Sequence, residues 1–455
     1  MTKDKAYTVI SSQSRTSSEL SVIDRKTKKL RQIVPKYPNS RYFIEHNRGY
    51  FYLVTNDQAP DFKMVRVPEG GSLRQQEEFI PCEEGLCIDE VDMFREHIVI
   101  YCRDQGVPSI RVYDIKKGSF HKVELPGEVF SIEPGINMDY YSKEVRVIYS
   151  SPLVYEMTLA YNMDSKTLHK VNERKLQGAP LYPERFVVKR VNAVTHDGLE
   201  LPITLFHRSD LKKDRKNKML LTGYGAYGTR ADHKFRYSQL TAVEDGWVVA
   251  TPHVRGEGEK GVEWHKAATK HLKHNSFADF ISAASFLVKE GYSQPKYIGG
   301  YGTSAGGLLL AQAVNLKPNL FNAVVLEVPF VDPLSVMQDE NSPLTIPDRD
   351  EWGDPLADQQ IFDEMRGYSP YDNLSINKYP KMLITAATND QRVPLWSVLK
   401  YVKRLRERKL PDDFCICENN IAVDIQETGH FGEGSLESEA VVWAFLNTFI
   451  KTPVF

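Results

Sequence analysis

Gly302-Thr-Ser-Ala-Gly306 is the segment with the clearest chemical content. A serine flanked by small residues suits a strand that turns sharply into a helix, which strains the backbone and leaves the hydroxyl exposed above a sheet. Tyr297, Ile298 and Tyr301 before it read as a strand, and the run from Leu308 after it reads as a helix. Such a serine needs an imidazole base, and in this arrangement the acid and then the histidine follow the nucleophile in the chain. His430, in Glu427-Thr-Gly-His-Phe-Gly432, is the only histidine after His274, so if Ser304 has an imidazole base in this order it must be His430; a solvent-facing loop histidine is the alternative. Asp390 is the favoured acid because it follows the strand-like Met382–Ala386, from where a carboxylate can fix the tautomer of the histidine; Asp413 and Asp424 are rivals. For the oxyanion, the N–H of Ala305 supplies one donor. Gly223-Tyr-Gly-Ala-Tyr-Gly228 supplies a close-approaching loop whose Tyr224 can offer a phenolic O–H, with core packing as the alternative role for that ring. No metal or organic cofactor is implied.

Strands and helices alternate from residue 186 to 455, the elements that must hold these side chains. Phe186–Val191 and Leu201–Phe206 resemble antiparallel edge strands. Met219–Thr222, Trp247–Thr251, Ala323–Leu326 and Met382–Ala386 are short apolar runs fit for a buried parallel sheet. Helical patterns cover Phe277–Glu290, Leu308–Asn315, Leu395–Lys409 and Ser438–Ile450. The expectation is an α/β fold of the doubly wound kind, an α/β-hydrolase domain.

Residues 1–185 read differently. Ser18–Ile23, Ser109–Tyr113 and Leu159–Met163 are strand-like, and each runs into an Asp-led turn. Asp24, Asp114 and Asp164 are 90 and then 50 residues apart, and Phe62–Val67 with Pro68-Glu-Gly-Gly71 fills the gap. A period near about 45 residues is that of a β-propeller blade. A generic antiparallel domain with chance spacing is the alternative. About four blades fit, the lower limit for closure.

Composition excludes several classes of function. Fifty-eight basic residues against 60 acidic give a net charge of −2, which leaves no footprint for nucleic acid or an anionic membrane. No stretch of about 18 apolar residues suggests a membrane span, and the start lacks a signal peptide's apolar core. Cys82, Cys87, Cys102, Cys415 and Cys417 read as free thiols of a cytoplasmic chain, expected as a monomer.

Taken together, Thr222–Gly228, Val254-Arg-Gly-Glu-Gly-Glu-Lys-Gly261, Trp264-His265, Gly302–Gly307, Glu351-Trp-Gly353 and Asn389-Asp-Gln-Arg-Val-Pro394 resemble the prolyl oligopeptidase family of serine peptidases. Leu221–Gly228 with Pro343-Leu-Thr345 and Asp424-Ile-Gln426 resembles its prolyl endopeptidase-like branch. The resemblance implies a seven-bladed propeller over a hydrolase domain, and so short or extended substrates. It also implies Ser304, Asp390 and His430 as triad, Tyr224 as oxyanion donor and Arg392 as substrate-binding arginine. Tyr227 and Trp352 belong to its substrate-side motifs.

Three departures stand out. The front half has room for only about four blades and the family's N-terminal hydrolase segment is absent, as in an N-terminally shortened form. No aromatic platform stands near Asp348, where prolyl oligopeptidases stack a tryptophan on the substrate proline, which argues against strict proline specificity. Glu257 replaces a glycine of the R-G-G-G-E pattern. Asp348 and Asp350 align with acidic residues that face a basic substrate side chain in the oligopeptidase B branch; a solvated acidic loop is the other reading.

The expected activity is acyl transfer from a small peptide, ester or thioester through a covalent intermediate. A largely non-catalytic binding or trafficking role, with a protein partner on the propeller face, is the alternative. A lipase-like esterase fits neither the front half nor Arg392.

Overall fold

Along the strand Tyr50–Thr55, successive side chains enter two different cores. Phe51 and Leu53 pack with Leu20 and Val22, whereas Tyr52 packs with Ile98 and Ile100. The strand His97–Asp104 repeats this, with Val99 and Tyr101 facing Val147 and Leu159 on the side away from Ile98 and Ile100. A period of two with apolar residues on both faces means that these two sheets are each covered on both sides by their neighbours.

The computed structural model describes residues 1–14, 16–174, 182–231, 233–408, 421–432 and 436–451. It divides into two units, Met1–Pro180 with Asp232–Phe235 and Glu259–Glu263, and Leu181–Ala231 with Arg236–Gly258 and Trp264–Phe455. The strands of the first unit form four antiparallel meanders within Tyr7–Val34, Tyr42–Ile80, Leu86–Lys122 and Ser131–Arg174, the first of three strands and the others of four. This is β-propeller architecture with four blade-like sheets, where the family resemblance implies seven. The repeated turn is visible in detail. Asp24 and Asp114 each accept two N–H groups from the residues two and three ahead, at 2.7–3.0 Å. The third such turn is led by Asn162 rather than Asp164, with Asn162 Oδ1 accepting from Asp164 and Ser165. Either side chain serves, because each carries an oxygen at the same reach.

The second unit holds one eight-stranded sheet. Numbered within it alone, the strands are β1 (Phe186–Val194), β2 (Glu200–Arg208), β3 (Lys218–Thr222), β4 (Trp247–Pro252), β5 (Ile298–Thr303), β6 (Ala323–Glu327), β7 (Lys381–Ala387) and β8 (Ile421–Gln426). Their order is β1-β2-β4-β3-β5-β6-β7-β8. β1 and β2 are antiparallel to each other, and β2 to β4; every other pairing is parallel. The two faces bury alternate residues of the same strands. Leu221, Val324 and Ile384 meet helices His274–Lys289 and Ala305–Leu316 on one face. Leu220, Val325 and Leu383 meet helix Leu436–Phe449 on the other. Each fully buried Leu or Ile here contributes about 1.5–3 kcal/mol. This is the doubly covered α/β-hydrolase sheet, whose strand ends must carry the chemistry. Among the described residues, no helix is long and apolar enough to cross a membrane. Cys82 and Cys102 are free thiols, the first exposed and the second buried; Cys415 and Cys417 lie outside the described residues.

Candidate active site

Four loops leave the carboxyl ends of β3, β5, β7 and β8, and each carries one of the side chains in question: Tyr224, Ser304, Asp390 and His430. In open α/β sheets this rim is where ligands bind. Ser304 sits between β5 and helix Ala305–Leu316 at φ 56°, ψ −117°, a conformation that a non-glycine residue adopts only under constraint. The constraint is local packing. A Cβ on Gly302 would lie 2.2 Å from the Gly306 carbonyl oxygen, and one on Gly306 would lie 2.5 Å from that of Gly223. The serine turn can therefore close on itself only because Gly302 lacks a side chain, and it can touch the Tyr224 loop only because Gly306 does.

The loops after β7 and β8 are stitched together by Thr388 N–H to Gln426 C=O (2.9 Å) and Asn389 N–H to Thr428 C=O (3.0 Å). That stitching brings His430 to Asp390. His430 Nδ1–H donates to Asp390 Oδ2 at 2.7 Å, and the Ser304 hydroxyl donates to His430 Nε2 at 3.1 Å. Asp390 Oδ1 accepts N–H groups from Arg392 (2.7 Å) and Val393 (2.9 Å). Burial pushes the Asp390 carboxyl up, but the His430 bond and these two N–H donors outweigh it and hold the group below its ordinary value. A carboxylate so held keeps the proton on Nδ1 and leaves Nε2 free to accept.

The same shift has a consequence for stability. Because its native value is depressed, Asp390 contributes stability that is complete above the unfolded carboxylate range and is lost as pH falls through the native value. Asp390→Asn is therefore expected to flatten the acid limb of the stability curve, read as the urea midpoint at pH 7 and at pH 3. Parallel limbs for the two proteins would contradict this.

Tyr224 lies against Ser304. Burial raises its phenol above the ordinary value, while a hydrogen bond with Ser304 and the charge of Arg392 pull the other way without cancelling that. Ala305 opens its helix, and the N–H groups of a first turn have no acceptor within the helix. Ser304, His430, Tyr224 and Arg392 line one cavity of about 340 Å³, joined by Tyr301, Glu327, Phe431 and Trp443. The Arg392 guanidinium is exposed and stacks 5.2 Å from the centre of the Phe431 ring.

The other candidates lie apart from this cavity. Tyr227 donates its O–H to Asp348 Oδ2 (2.9 Å) and accepts from Trp352 Nε1–H (3.0 Å). Asp348 and Trp352 are buried, whereas Asp350 is exposed. Two positions apart on helix Thr345–Trp352, the two carboxylates face different sides, so they form no pair at the cavity. Asp424 sits in β8 and accepts from Gln426 Nε2 (2.8 Å), and Asp413 lies outside the described residues. Glu327 escaped the sequence reading: its carboxylate accepts the Tyr301 and Thr303 hydroxyls beside the serine, and a lone acid at a strand end gives no signal. Phe431 was legible only as the neighbour of His430.

A family model described as the prolyl oligopeptidase family matches residues 233–420, and one described as its N-terminal β-propeller domain matches residues 1–174. A Xenopus laevis protein named prolyl endopeptidase-like is 32% identical over 418 residues, 91% of this chain and 58% of that one. Protease 2 of Moraxella lacunata is 30% identical over 450 residues, 97% of this chain and 63% of that one. Among solved structures, oligopeptidase B from Trypanosoma brucei with covalently bound antipain matches with a TM-score of 0.92 at 28% identity, covering 100% of this chain and 66% of that one. The chain spans about 60% of the length of the curated relatives it matches.

Proposed function

This chain belongs to the prolyl oligopeptidase family, and from that premise we propose that it is a serine peptidase acting on short or extended peptides through a covalent acyl-enzyme. The observation that carries the reading is the continuous relay from Ser304 Oγ to His430 Nε2 (3.1 Å) and from His430 Nδ1 to Asp390 (2.7 Å). In this mechanism Ser304 Oγ attacks the scissile carbonyl carbon as its proton passes to His430 Nε2. Asp390 stabilises the imidazolium, and the oxyanion takes hydrogen bonds from the Tyr224 O–H and the Ala305 N–H. Collapse expels the amine, which receives the proton from His430. Water, activated by the same imidazole, then releases the acid and restores Ser304.

Arg392, exposed beside the cavity, supplies a cation for a substrate carbonyl or carboxylate. Preference for a basic side chain is not part of this reading, since Asp348 is committed to Tyr227 and Asp350 is exposed. A cytosolic setting is part of it, in line with the low cysteine content of the sequence. The test is hydrolysis by the full chain of matched amide, ester and thioester substrates on one short peptide. The reading expects all three to be cleaved and none by Ser304→Ala. Absence of hydrolysis and of serine labelling alike would return the account to a binding role.

A further inference from the structure

The loop that carries Tyr224 has little of its own to hold it, since three of the six residues from Gly223 to Gly228 are glycine. What holds it comes from outside. The segment 255–258 runs alongside, with Gly228 N–H donating to Gly256 C=O (3.0 Å) and Gly258 N–H to Thr229 C=O (2.8 Å). The approach is so close that a Cβ on Gly256 would lie 2.2 Å from the Gly225 carbonyl oxygen. Arg255 anchors the segment through Asp279 and Asp197, at 2.6–3.1 Å.

Between those two glycines sits Glu257, 3% exposed. Its Oε1 accepts the N–H of Tyr224 (2.8 Å) and the N–H of Gly225 (3.0 Å). These two N–H groups belong to the peptide units on either side of the Tyr224 Cα. Fixing both planes fixes φ and ψ of Tyr224, and with them the direction of its Cα–Cβ bond. The far side of the loop is held as well. Lys273 and Ser276 donate to the Gly225 carbonyl, and Glu351 accepts the Tyr227 N–H at 3.0 Å. Burial lowers the Lys273 ammonium to about 8, against the opposing pull of Glu351 and Glu257.

We propose that Glu257 is a positioning residue for the reaction: by holding the two peptide units that flank Tyr224, it aims the phenol at the oxygen that develops charge on the Ser304 adduct. The inference rests on the reading of Tyr224 as the oxyanion donor. The acid stands where the R-G-G-G-E pattern of the resemblance has glycine.

The test is a double-mutant cycle on the full chain, with kcat, KM and thermal midpoint measured on a chromogenic peptide ester. Glu257→Ala is expected to lower kcat about 10- to 100-fold with little change in KM, since a small misplacement of a transition-state group costs that much. Glu257→Gln, which keeps an acceptor oxygen, should recover most of the loss. In a Tyr224→Phe background the alanine change should cost less than about threefold more, because nothing remains to be aimed. Glu257→Asp, whose shorter reach displaces the same two peptides, provides the same cycle should the alanine variant fail to fold. Full multiplication of the two losses, or an unchanged kcat in folded Glu257→Ala or Glu257→Asp, would overturn the proposal. An unchanged kcat in Tyr224→Phe alone would instead overturn the underlying reading of the phenol, and this inference with it.

Discussion

Ser304→Ala is expected to abolish turnover, with kcat falling by about six orders of magnitude while the thermal midpoint stays near that of the parent. In the proposed mechanism the loss is so large because the serine, histidine and aspartate act as one unit. Without Ser304 Oγ there is no atom to form the acyl bond, and the proton relay to His430 and Asp390 has nothing to serve. His430→Ala is expected to cost a comparable factor, and the double variant should be no worse than either single one. That non-additivity is the signature of a relay. Single-turnover kinetics on an activated ester reads it directly. A Ser304→Ala protein within about tenfold of the parent would move the chemistry to another residue.

The next largest effect is expected at Tyr224. Replacement by phenylalanine keeps the ring and its packing and removes one O–H. If that hydroxyl donates to the oxyanion, its bond strengthens as charge develops, so kcat should fall by about two to three orders of magnitude with KM nearly unchanged. A change confined to KM would make the phenol a ground-state contact. The Tyr224 ring is partly buried against the apolar cluster that includes Ala226 and Leu309, so a phenylalanine ring keeps that packing.

Ser304 and His430, whose side chains the structure brings within 3.1 Å, were legible because each had a local signature: small residues around Ser304, and a histidine with no competitor after residue 274. The acid was less so. Asp390 and Asp424 stand on neighbouring loop and strand, and only the register of β7 on β8, with Asn389 N–H bound to Thr428, shows which carboxylate meets the imidazole. The eight-stranded sheet could be anticipated from its apolar runs, but β8 could not, since Asp424 and Gln426 interrupt its apolar residues and only Ile421 of the six is buried. Among the blades, alternation gave the strands, while the turn led by Asn162 was misassigned to Asp164 two residues on. Asp348 and Asp350 illustrate the opposite limit. Their place in the resemblance to the oligopeptidase B branch suggested a pair, with a solvated acidic loop as the other reading, and a helical backbone turns residues two apart to different sides. Glu257 was visible as a departure from a pattern, yet its role depends on a contact with residues more than thirty positions earlier.

The measurement that bears most directly on the central claim is the mass of the covalent adduct formed when the native full chain meets a fluorophosphonate. The account predicts one phosphonyl group, located on the peptide that contains Ser304, formed at a rate that collapses in His430→Ala. An adduct on a different residue, or labelling of Ser304 that proceeds unchanged without His430, would contradict it.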